Sequence, residues 1–286
     1  MSEKLSEEWS KLIHRESKEV GIVGTPKYCS KHYLKHYLPT SFLVAFVLLC
    51  INTACFSLDE HFVGLWLFDE GSGKMASDSS NYKNHGKIEG GAEWVDDGKF
   101  GKALSFNGTD AYVEVSSSDS LKIADQITIE FWLLPRSFAG EWNIVRKHTQ
   151  DTYDYEINAI GDIHFNLKFA ETQTGVAVGG NDVPFDEWTH LAFTYDGKKA
   201  LMYINGDPVF EQDLAGAIPT SDSPLYIGCR DTTRRFIDGA LDEFCLSDIA
   251  RTADEIKSHI EKGLASELAI EKAGKLTITW GSIKEE

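Results

Sequence analysis

From Asp59 onward, apolar and polar residues alternate with a period of two along most of the chain, the repeat of strands that bury one face. Ile127, Ile129, Phe131 and Leu133 alternate with Thr128, Glu130, Trp132 and Leu134; Leu191, Phe193 and Tyr195 alternate with Ala192 and Thr194. Short β-rich runs recur at 62–68, 103–106, 111–115, 163–169, 200–204 and 225–229. Turn clusters separate them: Asn107-Gly108-Thr109-Asp110, Asp196-Gly197-Lys198 and Asn205-Gly206-Asp207. Their Asn-Gly and Asp-Gly pairs supply the positive φ of tight hairpins. Many short strands without alternating helices predict an all-β fold, a two-sheet antiparallel jelly-roll sandwich. One short C-terminal helix is expected, opening at a capping box of Thr252 and Glu255 and closing at Gly263.

The pattern differs before Asp59. Residues 41–58 read SFLVAFVLLCINTACFSL, uncharged and preceded by Lys31 and Lys35, the arrangement of an export signal or of an inward-anchored helix. Forty residues precede it, which is long for a signal peptide. Cleavage after Ala54 would expose Cys55, as at a bacterial lipoprotein site, although Asn52 stands where such sites usually carry Leu. The expected organisation is a leader at 1–58 with a cleaved signal or retained anchor, a sandwich at 59–263, and a tail at 264–286. Either reading of the leader predicts an extracytoplasmic body, secreted or tethered, that touches a membrane only through its N-terminal segment.

Charge narrows the partners. The net charge of −17 divides into +2 over residues 1–58 and −19 over the rest. So acidic a body repels nucleic acids and anionic lipid headgroups but suits sugars, cations or basic partners.

Cys229 and Cys245 are symmetric about Ile237. A hairpin centred there would face them across two strands, and an exported chain could bridge them. Asp242 shares the parity of Phe244 and Leu246, the expected core side, where an unpaired carboxylate is costly. Backbone N–H groups or a hard cation would satisfy it.

Several segments, in order, resemble the laminin-G-like jelly-roll domains of the concanavalin A-like lectin/glucanase superfamily. They are GLWLFDEGSG (64–73), ASDSSNYKNHGKI (76–88), FGKALSFNGTDAYVEV (100–115), ITIEFWLLP (127–135), DEWTHLAFTYDGKKALMYINGDPV (186–209), PLYIGCR (224–230) and FIDGALDEFCLSD (236–248). The resemblance spans roughly 60–263. It implies a binding module for a glycan or glycoprotein, or for another surface protein, and a calcium ion near a late-strand Asp. Asp242 is therefore the leading calcium candidate, followed by Asn107 and Asp110 in one loop and then Asp78.

Aromatic rings are the usual sugar platforms. The resemblance makes Trp66, Trp132 and Trp188 core residues. Trp142, Tyr153, Tyr155 and Phe236 fall in less regular segments near Arg146, Arg230, Arg234 and Arg235, and make the better ligand-binding candidates. The glucanase branch carries its carboxylates as Glu-x-Asp-x-x-Glu, which is missing here. Asp154 and Glu156, straddling Tyr155, come nearest. No nucleophile elbow, phosphate loop or zinc motif is present, so no catalytic residues are expected.

Overall fold

The computed structural model describes residues 59–137, 141–149, 152–160, 162–169, 172–178 and 183–266. The leader with Cys55 and the tail beyond Ser266 lie outside the described residues.

Two antiparallel eight-stranded sheets form the body. The first runs β14 (Asp207–Asp213), β13 (Lys199–Ile204), β12 (Thr189–Tyr195), β7 (Ile127–Pro135), β16 (Asp238–Ser247), β5 (Ala103–Asn107), β4 (Glu93–Val95). Its eighth strand, β1 (Phe62–Trp66), pairs with the far half of β16. The second runs β11 (Thr172–Val178), β10 (Asp162–Phe169), β9 (Thr152–Ile160), β8 (Glu141–Thr149), β15 (Leu225–Ile227), β6 (Tyr112–Val115), β3 (Gly86–Glu89), β2 (Met75–Ala76).

The alternation read from the sequence meets between the sheets. Ile127, Ile129, Phe131 and Leu133 of β7, with Leu191, Phe193 and Tyr195 of β12, pack against Val113, Tyr155, Ile157, Phe165 and Ile227 of the second sheet. Phe131 stacks on Phe244 at 5.5 Å and on Phe193 at 6.3 Å between ring centres. Each such buried ring contributes roughly 1.5–3 kcal/mol relative to exposure. Trp66 joins this core, whereas Trp132 is buried on the opposite face beneath Lys99 and Trp188 is only half-buried.

The helix forms as the capping box requires. In α1 (Ala253–Lys262) the Thr252 hydroxyl accepts from the Glu255 N–H and the Glu255 carboxylate accepts from the Thr252 N–H. Gly263 closes it at φ +73°. Ile256 packs on Ala192 and Tyr203, so α1 covers the outer face of the first sheet.

Two turns behave as hairpins: Asp196-Gly197 joins β12 to β13 and Asn205-Gly206 joins β13 to β14. Asn107-Gly108 instead carries the chain from β5 in one sheet to β6 in the other. There the Asn107 side-chain oxygen accepts from the N–H groups of Thr109, Asp110 and Ala111.

One strand departs from strict alternation. Asp242 pairs with Trp132 but Cys245 pairs with Glu130, so β16 carries an extra residue against β7. Glu243 takes up the bulge at φ +49°. Leu241, Phe244 and Leu246 face the core, and Asp242 therefore points to the outer side with Trp132. This corrects the parity assigned to Asp242, because a bulge resets which residues share a face.

Candidate functional site

On the outer face of the second sheet, β6, β15 and β8 lie side by side. Val113, Val115, Leu225, Ile227 and Val145 turn inward to the core, so the residues alternating with them turn outward. Tyr226 stands directly between Glu114 of β6 and Arg146 of β8. Two residues from those partners come Tyr112 and His148, which places them diagonally on either side of Tyr226. The rings follow one another closely: Tyr112 to Tyr226 at 6.1 Å and Tyr226 to His148 at 6.4 Å. Phe236, from the segment between β15 and β16, extends the row at 6.4 Å from Tyr112. Tyr112, Tyr226 and His148 are all half-buried, presenting part of each ring to solvent.

Polar groups frame this row. Burial, and after it the Glu114 carboxylate beside the hydroxyl, pushes Tyr226 up to about 12. Arg146 Nε lies 3.1 Å from Glu156 Oε2, both side chains being buried. The Asn158 amide donates to the other Glu156 oxygen. Asn143 of β8, opposite Asn158, is fully buried, and neither atom of its amide has a hydrogen-bond partner. An unpaired buried amide costs about 1–3 kcal/mol, so this floor holds unmet hydrogen-bonding capacity. Asp154 accepts from the Ser221 hydroxyl at 2.7 Å, and burial raises its pKa.

The row runs toward a rim pocket of about 360 Å³ lined by Asn107, Glu141, Trp142, Arg235, Phe236 and Asp238. Phe236 belongs to both. Arg235 is ion-paired with Glu141, and Arg136 with Asp238 at 3.0 Å.

The structure redistributes the ligand-binding candidates. Tyr155 is a core residue, fully buried on the inner face of β9. It is no platform, because its ring is packed between the two sheets; β9 carries Asp154 as an extra residue against β8, Lys147 pairing with Tyr155 and His148 with Tyr153. Trp142 is likewise packed into the core, although one side of it lines the rim pocket. Arg146 lies within the polar frame, and Arg230 begins the turn that precedes Phe236. The Tyr153 side chain lies outside the described residues. Tyr112 and Tyr226 were missed: each is a lone aromatic in a short strand, and only the strand order reveals them as neighbours.

The four calcium candidates do not converge. Asp242 accepts from the backbone N–H groups of Phe100 and Glu243, each at 2.8 Å. Asp78 accepts from the Leu65, Ser80 and Asn84 N–H groups and from the Ser80 hydroxyl. Asn107 and Asp110 bond each other and nearby N–H groups at 2.8–3.2 Å. Among the described residues no three His, Cys, Asp or Glu side chains gather as a metal-binding group. So placed, these residues do not fit a shared calcium ion.

The proposed disulfide is also corrected. Cys229 follows β15 in the second sheet, whereas Cys245 lies on β16 in the first, and both are free and buried. No hairpin forms about Ile237, whose N–H and C=O bond Gly228 and Gly108 as the chain crosses between sheets.

Two antiparallel sheets stacked over one apolar core define a jelly-roll β-sandwich. The chain belongs to the concanavalin A-like lectin/glucanases superfamily, whose Laminin G 3 model matches residues 107–257, just over half of the chain. No curated protein sequence matches it significantly. Among solved structures it is similar to the binding domain of Paraclostridial Mosquitocidal Protein 1, at 19% identity and a TM-score of 0.59 over 71% of this chain and 52% of that one. The receptor-binding domain of the botulinum neurotoxin C/D mosaic serotype gives 12% identity and 0.59, over 71% and 51%. Domain 4 of AbnA, a GH43 extracellular arabinanase from Geobacillus stearothermophilus, in complex with arabinotriose, gives 20% and 0.56, over 69% and 97%. The chain thus spans about half the length of the toxin binding domains it matches but nearly all of the arabinanase domain.

Proposed function

We propose that this chain is a non-catalytic binding module working outside the cytoplasm, which recognises a carbohydrate or the glycan of a glycoprotein through the outer face of its second sheet. The diagonal row of Tyr112, Tyr226 and His148 carries this reading. Ring faces pack on the C–H faces of sugars, and the flanking, partly exposed Glu114 supplies an acceptor for hydroxyls. The likeness to toxin binding domains and to an arabinanase domain solved with arabinotriose supports a binding role. The apolar run at 41–58 supports export.

Asp154 and Glu156 are committed to different partners, Ser221 and Arg146. That favours binding over paired-carboxylate hydrolysis. A glycan array with arabino-oligosaccharides among the probes tests the reading. Binding that disappears in Tyr226→Ala is expected. Capture of a surface protein after its sugars are stripped would favour protein docking instead. Release of reducing sugar, abolished in Glu156→Gln, would make the chain a hydrolase.

A further inference from the structure

The charges around the aromatic row point to one class of ligand. Arg146 faces Glu156 at 3.1 Å and Arg234 faces Asp231 at 3.0 Å. Lys87 is ion-paired with Glu89, and Arg235 with Glu141. Arg230 is the cation here without an ion pair among the described residues. Glu114, beside the Tyr226 hydroxyl, offsets it in number. The arginines the sequence gathers near the platform therefore make no basic patch, and they sit in a body of net charge −19. An acidic ligand would meet carboxylates beside every ring and a repulsive long-range field.

Paired guanidinium and carboxylate groups do something else well. They fix donors and acceptors side by side, which suits groups that both donate and accept, as vicinal hydroxyls do. The Asn143 amide and the Asn158 side-chain oxygen, buried and without hydrogen-bond partners, add to the same mixed character.

Resting on the carbohydrate-binding reading, we infer that the site on the outer face of the second sheet selects uncharged oligosaccharides over acidic ones, through charge-balanced pairs that flank the Tyr112–Tyr226–His148 row. The full chain is titrated with neutral gluco- and xylo-oligosaccharides and with oligogalacturonate and sulfated oligosaccharides, at about 50 and about 500 mM salt. Neutral sugars are expected to bind with less than about a twofold change between the two salts, acidic ones at background. Tyr226→Ala and, separately, Tyr112→Ala should each weaken neutral binding roughly tenfold. Glu114→Gln, which leaves a positive charge uncompensated, should admit the acidic sugars. Preferential binding of acidic sugars, lost roughly tenfold at the higher salt, overturns the inference while leaving a carbohydrate module. Failure to bind sugars of either kind overturns both.

Discussion

His259 of α1 meets Glu130 of β7 at 2.9 Å, Nδ1 to Oε1, pinning the helix to the middle of the first sheet. Glu130 is fully buried, and His190 approaches its other oxygen at 3.6 Å. Burial pushes the Glu130 carboxyl upward, but His259 first, then His190 and Arg251, outweigh it and hold the group below its usual range. Burial pushes His190 down to about 4.

Both shifts make the fold acid-labile. Glu130, with a depressed folded pKa, contributes stability that is present above the ordinary carboxylate pKa and lost as pH falls through the folded value. His190 is neutral in the fold and takes up a proton more readily when unfolded. Its contribution is full above about 6.5 and declines as pH falls toward the folded value. From about pH 6.5 down to 4 the wild type should therefore lose stability relative to His190→Gln, which has no ring to protonate. Glu130→Gln should cost about 3–5 kcal/mol near neutrality by breaking the buried pair. A difference in melting temperature between wild type and His190→Gln that stays constant from pH 8 to 4 would sink this account.

The opposite limb comes from Asp242 and Glu243. Burial raises Asp242 to about 7 and Glu243 to about 8. Acids with raised folded pKa values contribute most below the ordinary carboxylate pKa, and that stability is lost as pH rises from there through the folded values. Glu243 accepts from the Leu264 N–H with one oxygen, while the other is buried without a partner. Glu243→Gln keeps an acceptor and removes the charge. It should match the wild type near pH 4 and melt increasingly above it as pH rises, by several degrees at pH 8 to 9. Equal melting at both would remove the role given to burial. The same melts with calcium and with EDTA test the ion: a calcium-dependent rise that vanishes in Asp242→Ala would restore Asp242 as a ligand.

Much of this architecture was legible in the sequence, because alternation, turn chemistry and the Thr252–Glu255 capping box are local signals. What was hidden depends on strand order. Tyr112, His148 and Tyr226 become neighbours only because β15, from late in the chain, inserts between β6 and β8. The face taken by Asp242 was misread because no local signal announces the Glu243 bulge. Cys229 and Cys245 looked paired because symmetry about Ile237 suggests a hairpin, but the chain spends that segment crossing from one sheet to the other.

The thiols give a direct check. Burial raises the pKa of both Cys229 and Cys245, and neither belongs to a disulfide. Thiol reagents should leave both unmodified in the native protein at pH 7 and titrate both after denaturation. A non-reducing digest that yields a peptide pair linking Cys229 to Cys245 would contradict the two-sheet placement of these residues.

Phe236 decides whether row and rim pocket work as one site. Its ring packs 6.4 Å from Tyr112 and also lines the pocket, so it is the side chain common to both. The ring is largely buried, and truncation removes the contact it makes with Tyr112 and its share of the pocket lining. If one ligand chain spans both, Phe236→Ala should weaken binding of longer oligosaccharides roughly tenfold and leave di- and trisaccharides within about twofold. Calorimetry across a ladder of chain lengths reads this directly. Equal losses at every length would mean that Phe236 merely supports Tyr112, and that the pocket takes no part in binding.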